Sequence, residues 1–121
     1  IVDVSSLGSV HTLNLSYCYN IVDVTSLGSV NTLDLSYCKN IEDVKSLVSV
    51  HILDLSYCKK IKDIGNLREL KELTIKEKIL EIHLLKNLEK LKLEIYCDKR
   101  MKRRIKKLKK INKKVKIEFL Y

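Results

Sequence analysis

Three successive stretches, IVDVSSLGSVHTLNLSYCYN, IVDVTSLGSVNTLDLSYCKN and IEDVKSLVSVHILDLSYCKK, are nearly the same twenty residues. A period this short constrains the fold more than composition does. One unit cannot bury its apolar side alone and must stack against copies of itself. Val10, Leu13, Leu15, Cys18, Ile21, Val24 and Leu27 recur as Val30, Leu33, Leu35, Cys38, Ile41, Val44 and Leu47. The repeat therefore predicts a solenoid of the α/β class.

Within each unit, L-x-L places two leucines on one side of a short strand and turns the intervening residues outward. The predicted strands are Thr12–Ser16, Thr32–Ser36, Ile52–Ser56, Glu72–Lys76 and Lys90–Glu94, stacked as a parallel sheet because successive returns are alike. Each return is too short for a full helix, so a turn or 3₁₀ segment is expected on the convex side. Asp3, Asp23, Asp43 and Asp63 stand just before it, where a carboxylate accepts the unpaired amides that open a helical turn. Calcium binding would need a second set of oxygen ligands, which does not accompany them.

After Lys59 the pattern loosens but survives through Leu73, Ile75, Leu91 and Leu93. Lys78 stands where the repeats carry cysteine, and Cys97 sits one residue late. From Asp98, a potential N-cap, the period becomes helical through Met101, Ile105, Leu108 and Ile111. Val115, Ile117, Phe119 and Tyr121 then alternate as a strand. The expected domains are repeats over 1–97, N-terminally incomplete because the chain starts within a unit, and a helix–strand cap over 98–121.

The formal charge of +9 is unevenly spread. Residues 99–121 carry 12 Lys+Arg against Glu118 alone, whereas residues 1–98 carry 12 against 14 Asp+Glu. Lysine, isoleucine, asparagine and tyrosine all have A/T-rich codons, so base composition is a rival reading of the lysine excess. No apolar run reaches the ~18 residues of a membrane span, and the start lacks the pattern of a signal peptide.

Cysteines at 18, 38 and 58 share one repeat phase and lack the paired spacing of a zinc site. Stacked strands would bring them ~4.8 Å apart, but with parallel Cβ vectors that suit a disulfide poorly. A ladder of buried reduced thiols is expected, at the point where each strand bends, in an intracellular compartment, cytoplasmic or nuclear.

LDLSYCKNIEDVKSL and its copies resemble the leucine-rich repeat, specifically the cysteine-containing subtype of ubiquitin-ligase substrate adaptors, whose units are longer by a helical segment. The I-x-D-V-S-x-L return is more like the internalin-type repeat, and S-x-L-G-S-V-x-T-L-D-L resembles repeat proteins encoded by large DNA viruses of amoebae. The resemblance implies a leucine-rich-repeat solenoid with a concave parallel sheet, and a protein-binding or substrate-recognition role.

No catalytic constellation is present: no nucleophile motif surrounds a serine or cysteine, and there is no glycine-rich phosphate loop. No metal, cofactor or small-molecule substrate is expected. The candidate partner surface is the concave face, comprising Asn14, Tyr17, Asp34, Tyr37, Lys39, Ile52, Asp54, Tyr57, Lys59 and Lys76. Aligned tyrosines offer large, stiff contacts to a protein partner; equally, they could shield the bend of each repeat by stacking on one another. The alternative surface is the basic run, with Arg100, Arg103, Arg104, Lys106, Lys107 and Lys110 facing nucleic acid or an anionic membrane. That run also reads as the solvated side of a capping helix, and no aromatic interleaves it to stack on bases.

Overall fold

The computed structural model describes residues 3–76, 85–93 and 99–120. Six strands, β1 (Thr12–Asn14), β2 (Thr32–Asp34), β3 (Ile52–Asp54), β4 (Glu72–Ile75), β5 (Lys90–Leu93) and β6 (Lys116–Phe119), form one parallel sheet in chain order. Short coils connect them into a solenoid, and one helix, α1 (Lys99–Ile111), precedes the sixth strand. Registers step by whole repeats: Leu13 pairs Leu33, Leu33 pairs Leu53, Leu53 pairs Leu73 and Leu73 pairs Leu91.

Strands β2 to β5 each begin on a shared acceptor. The amides of Asn31 and Thr32 both donate to the His11 carbonyl at 3.0 Å, and those of His51 and Ile52 do the same to Asn31. The return bends through 3₁₀ segments at Ser5–Leu7 and Thr25–Leu27, as expected from its length. The same Leu-to-Val amide bond, near 3.0 Å, recurs as Leu7 to Val4, Leu27 to Val24 and Leu47 to Val44. Asp3, Asp23, Asp43 and Asp63 each accept the amide two residues on, at 2.8–3.1 Å, so each carboxylate takes up an amide at the start of the return turn. That amide bond, with the neighbouring hydroxyl behind it, lowers the carboxyl pKa of Asp3 and of Asp23.

The coils pack without slack. A Cβ on Gly28 would lie 2.6 Å from the Ser46 carbonyl oxygen of the next coil, and one on Gly8 would collide with that of Ser26. Ile21, Leu27, Val30, Leu35, Ile41, Leu47, Val50 and Leu55 are sealed from solvent in a single core, whereas Leu7 of the first coil is partly buried. Each such side chain contributes about 1.5–3 kcal/mol by leaving water. The partners that bury it belong to adjacent coils, so the stability is cooperative between repeats.

Three details differ from the sequence expectation. The strands end at Asn14, Asp34 and Asp54, two residues early, because the side-chain oxygen of each accepts the amide of Ser16, Ser36 or Ser56 at 2.9 Å and bends the chain. Bonds between coils continue past the bend, from Leu15 N to Asp34 O and from Tyr17 N to Ser36 O. In consequence Ser36 and Ser56 are buried, not outward, and Ser56 Oγ has no hydrogen-bond partner among the described residues. On α1, Met101, Ile105 and Leu108 are buried as the helical period predicts, but Ile111 is half-exposed and Asn112 takes the inward place. Its amide donates to the carbonyls of Leu85 and Leu88 and its oxygen accepts from Lys114 N, so it closes the helix C-terminus against the preceding coil. The expectations for Lys78, Glu94, Cys97, Asp98 and Tyr121 lie outside the described residues.

Candidate functional site

The outward strand residues form two rows by register. One runs Thr12, Thr32, Ile52, Glu72, Lys90, Lys116; the other runs Asn14, Asp34, Asp54, Thr74, Lys92, Glu118. The face is polar and uncharged at β1, carries acids across β2 to β4, bears lysines at β5, and ends on Lys116 and Glu118 at β6. Ile52 is its exposed apolar residue, at 39%. Asn14, Asp34 and Asp54 already spend their Oδ1 on the bend, so their first role is architectural.

That bend delivers the tyrosines. Tyr17, Tyr37 and Tyr57 have φ of 64°, 63° and 60°, the left-handed region that bulky L-residues rarely enter. The turn holds them there, helped at Tyr17 and Tyr37 by amide bonds to the Ser36 and Ser56 carbonyls of the next coil, and the rings fall into register. Tyr17 and Tyr37 stack at 4.3 Å with 9° between planes, and Tyr37 and Tyr57 at 4.6 Å with 24°. Lys76 Nζ lies 5.1 Å from the Tyr57 ring centroid, closing one end of the row with a cation–π contact. At the other end Tyr19 meets Tyr17 edge-on, and Lys39 Nζ sits 5.3 Å from the Tyr19 ring. Desolvation, helped by a hydrogen bond to Tyr37, raises the Tyr17 phenol above its ordinary pKa. Tyr17 nevertheless remains 55% exposed.

Behind the row lie the thiols. Cys38 Sγ donates to Leu15 O at 3.1 Å and Cys58 Sγ to Leu35 O at 2.9 Å, each reaching the preceding coil. Cys18, Cys38 and Cys58 are free thiols, with Cys18 half-buried. Burial pushes Cys38 up to about 11 and Cys58 up to about 12. Such thiols are poor nucleophiles and poor metal ligands. Among the described residues no cluster of His, Cys, Asp and Glu could hold a metal ion.

The structure thus brings Tyr17, Tyr37, Tyr57 and Lys76 into one row, with Lys39 beside it through Tyr19. It sets Asn14, Asp34, Asp54 and Ile52 on the adjoining sheet face. Lys59 instead borders a shallow depression among the returns, with Glu42, Asp43, Lys45, Lys60, Lys62 and Asp63. At the start of the strands, Thr32 Oγ1 donates to Asn31 Oδ1 and Asn31 Nδ2 donates to His51 Nδ1. This relay went unread in the sequence, where the phase shared by His11, Asn31 and His51 was the available signal. Arg100, Arg103, Lys106, Lys107 and Lys110 are exposed on α1, and Arg104 is half-buried at its flank. No helix among the described residues is long and apolar enough to cross a membrane. No protein-family model matches the chain, and a search of curated proteins returns no match.

Proposed function

We propose that this chain is a non-catalytic protein-binding scaffold of the leucine-rich-repeat type, which docks a protein partner on its sheet face and the tyrosine row beside it. The observation that carries this reading is the row itself: three rings in register, stacked at 4.3 and 4.6 Å, half-buried to exposed, and held at a strained backbone position. Pre-ordered aromatics lose little conformational entropy on binding, which is why stiff tyrosines serve well as interface anchors. Ile52 supplies an apolar contact on the same side, and the change from acids to lysines across the sheet would orient the partner. Substrate recognition for a larger assembly is the use most consistent with this surface. An intracellular, reducing setting suits thiols that are spent on carbonyl hydrogen bonds.

The test replaces Tyr17 and Tyr37 by Asn, which tolerates a positive φ and so keeps the turn while removing both rings. Affinity capture with quantitative mass spectrometry should show the partner of the wild-type chain lost from this double variant and retained by a variant neutralised on α1. Retention of every partner by the double variant would overturn the reading.

A further inference from the structure

We propose that the solvent face of α1 docks double-stranded nucleic acid through its phosphates, without reading bases. With Met101, Ile105 and Leu108 turned into the core, the opposite arc of the helix presents Lys99, Arg103, Lys106, Lys107 and Lys110, all exposed. At a rise of about 1.5 Å per residue, this row places a cation every ~5–6 Å along a rigid axis. The pairs Lys99–Arg103, Arg103–Lys107 and Lys106–Lys110 are spaced as like-charge neighbours one turn apart, which disfavours the helix. The first turn has no acidic residue, so Lys99 and Arg100 also oppose the positive end of the helix dipole. No acidic residue occurs between Lys99 and Ile117 to offset this repulsion within the segment. Exposed Lys113, Lys114 and Lys116 extend the same sign of charge into β6.

A dense, regular row of anions relieves that repulsion, and duplex nucleic acid supplies one negative charge per ~1.7 Å of its axis. A lipid surface fits less well. The outward arc carries no apolar residue to insert, and Ile111 stands at the flank of the last turn. Single strands fit less well because α1 has no aromatic residue on which bases could stack.

The experiment is fluorescence anisotropy of the whole chain against a labelled mixed-sequence duplex of roughly 20 base pairs. About five phosphate contacts give a log–log salt slope of about −4.5, so affinity should fall ~500-fold between about 50 and 200 mM salt. The variant Arg103→Gln, Lys106→Gln, Lys107→Gln, Lys110→Gln keeps helix-forming side chains and should flatten the slope to about −1. The variant Lys39→Gln, Lys45→Gln, Lys59→Gln, Lys62→Gln removes the same charge from the repeats and should leave the slope unchanged. Circular dichroism checks both; should the helix variant not fold, Lys106→Gln alone should lower the slope by about 0.9. Wild-type affinity in the helix variant, an equal loss in the repeat variant, or binding to phosphatidylserine vesicles without binding to duplex would each overturn the proposal.

Discussion

Every described coil that leaves its strand through tyrosine does so at a φ near 60°, and the residue two places before the serine explains how. Asn14, Asp34 and Asp54 accept the serine amide and turn the chain, after which bonds between coils help to hold Tyr17 and Tyr37 in place. Strain at such a position is local, so substitutions should sort by φ tolerance as well as by ring loss. Tyr37→Ala should unfold in urea about 1 kcal/mol more readily than Tyr37→Asn, since only the latter accommodates the left-handed region. Equal stabilities would show that the turn is unstrained. The thiols make a second prediction. Cys38→Ser should cost about 1–2 kcal/mol, because the shorter hydroxyl fits the Leu15 carbonyl less well at a fully buried site. Peptide-resolved alkylation of the native protein should label half-buried Cys18 before Cys38 and Cys58. Both buried thiols titrate above the 9.0 of a free thiol, so their contribution to stability is whole below pH 9 and is lost as pH rises through about 11 to about 12. A melting temperature independent of pH across that window would count against the burial that raises them.

At the scale of the element, much of the coil was legible because its residues obey two simple periods. Leucines at L-x-L, the aspartate before each 3₁₀ turn and Met101, Ile105 and Leu108 on α1 all lie where alternation, capping or helical spacing puts them. The exit of the strand was not legible. Nothing in L-S-Y signals a left-handed residue, since glycine and asparagine are the usual markers and tyrosine is not. Reading Asp34 and Asp54 as outward ligands therefore missed the bend they make, and with it the burial of Ser36 and Ser56. Asn112 was hidden for a related reason: a polar side chain that pairs with carbonyls is invisible to an apolar pattern. Contact between coils makes its own prediction. Gly28→Val should cost about 1–3 kcal/mol through overpacking against the Ser46 carbonyl. Val48 occupies the same phase one coil later, so an undiminished melting temperature would show that the first coils can open by the same amount. The lowered carboxyl values of Asp3 and Asp23 act in the other direction of pH. Their stabilisation is present above the ordinary 3.8 and is lost as pH falls through the lower folded values. Asp23→Asn, which keeps an acceptor oxygen, should flatten the acid limb of stability, and an unchanged limb would contradict it.

For the whole molecule, twenty-residue spacing in the chain becomes side-by-side contact in space, and the proposed binding face depends on that conversion. Hydrophobic burial sets which residues face the core, registry between coils aligns the rows, and alignment turns separate tyrosines into one continuous surface. The charge asymmetry was plain in the sequence, whereas the continuity of the aromatic row needed the geometry. Ring-to-ring nuclear Overhauser effects measure this registry directly. Contacts are expected between the Tyr17 and Tyr37 rings and between the Tyr37 and Tyr57 rings, separated by 4.3 and 4.6 Å, with none between Tyr17 and Tyr57, and they should persist to the unfolding transition. Tyrosine signals at unfolded-chain positions, with no contact between rings one repeat apart, would contradict it.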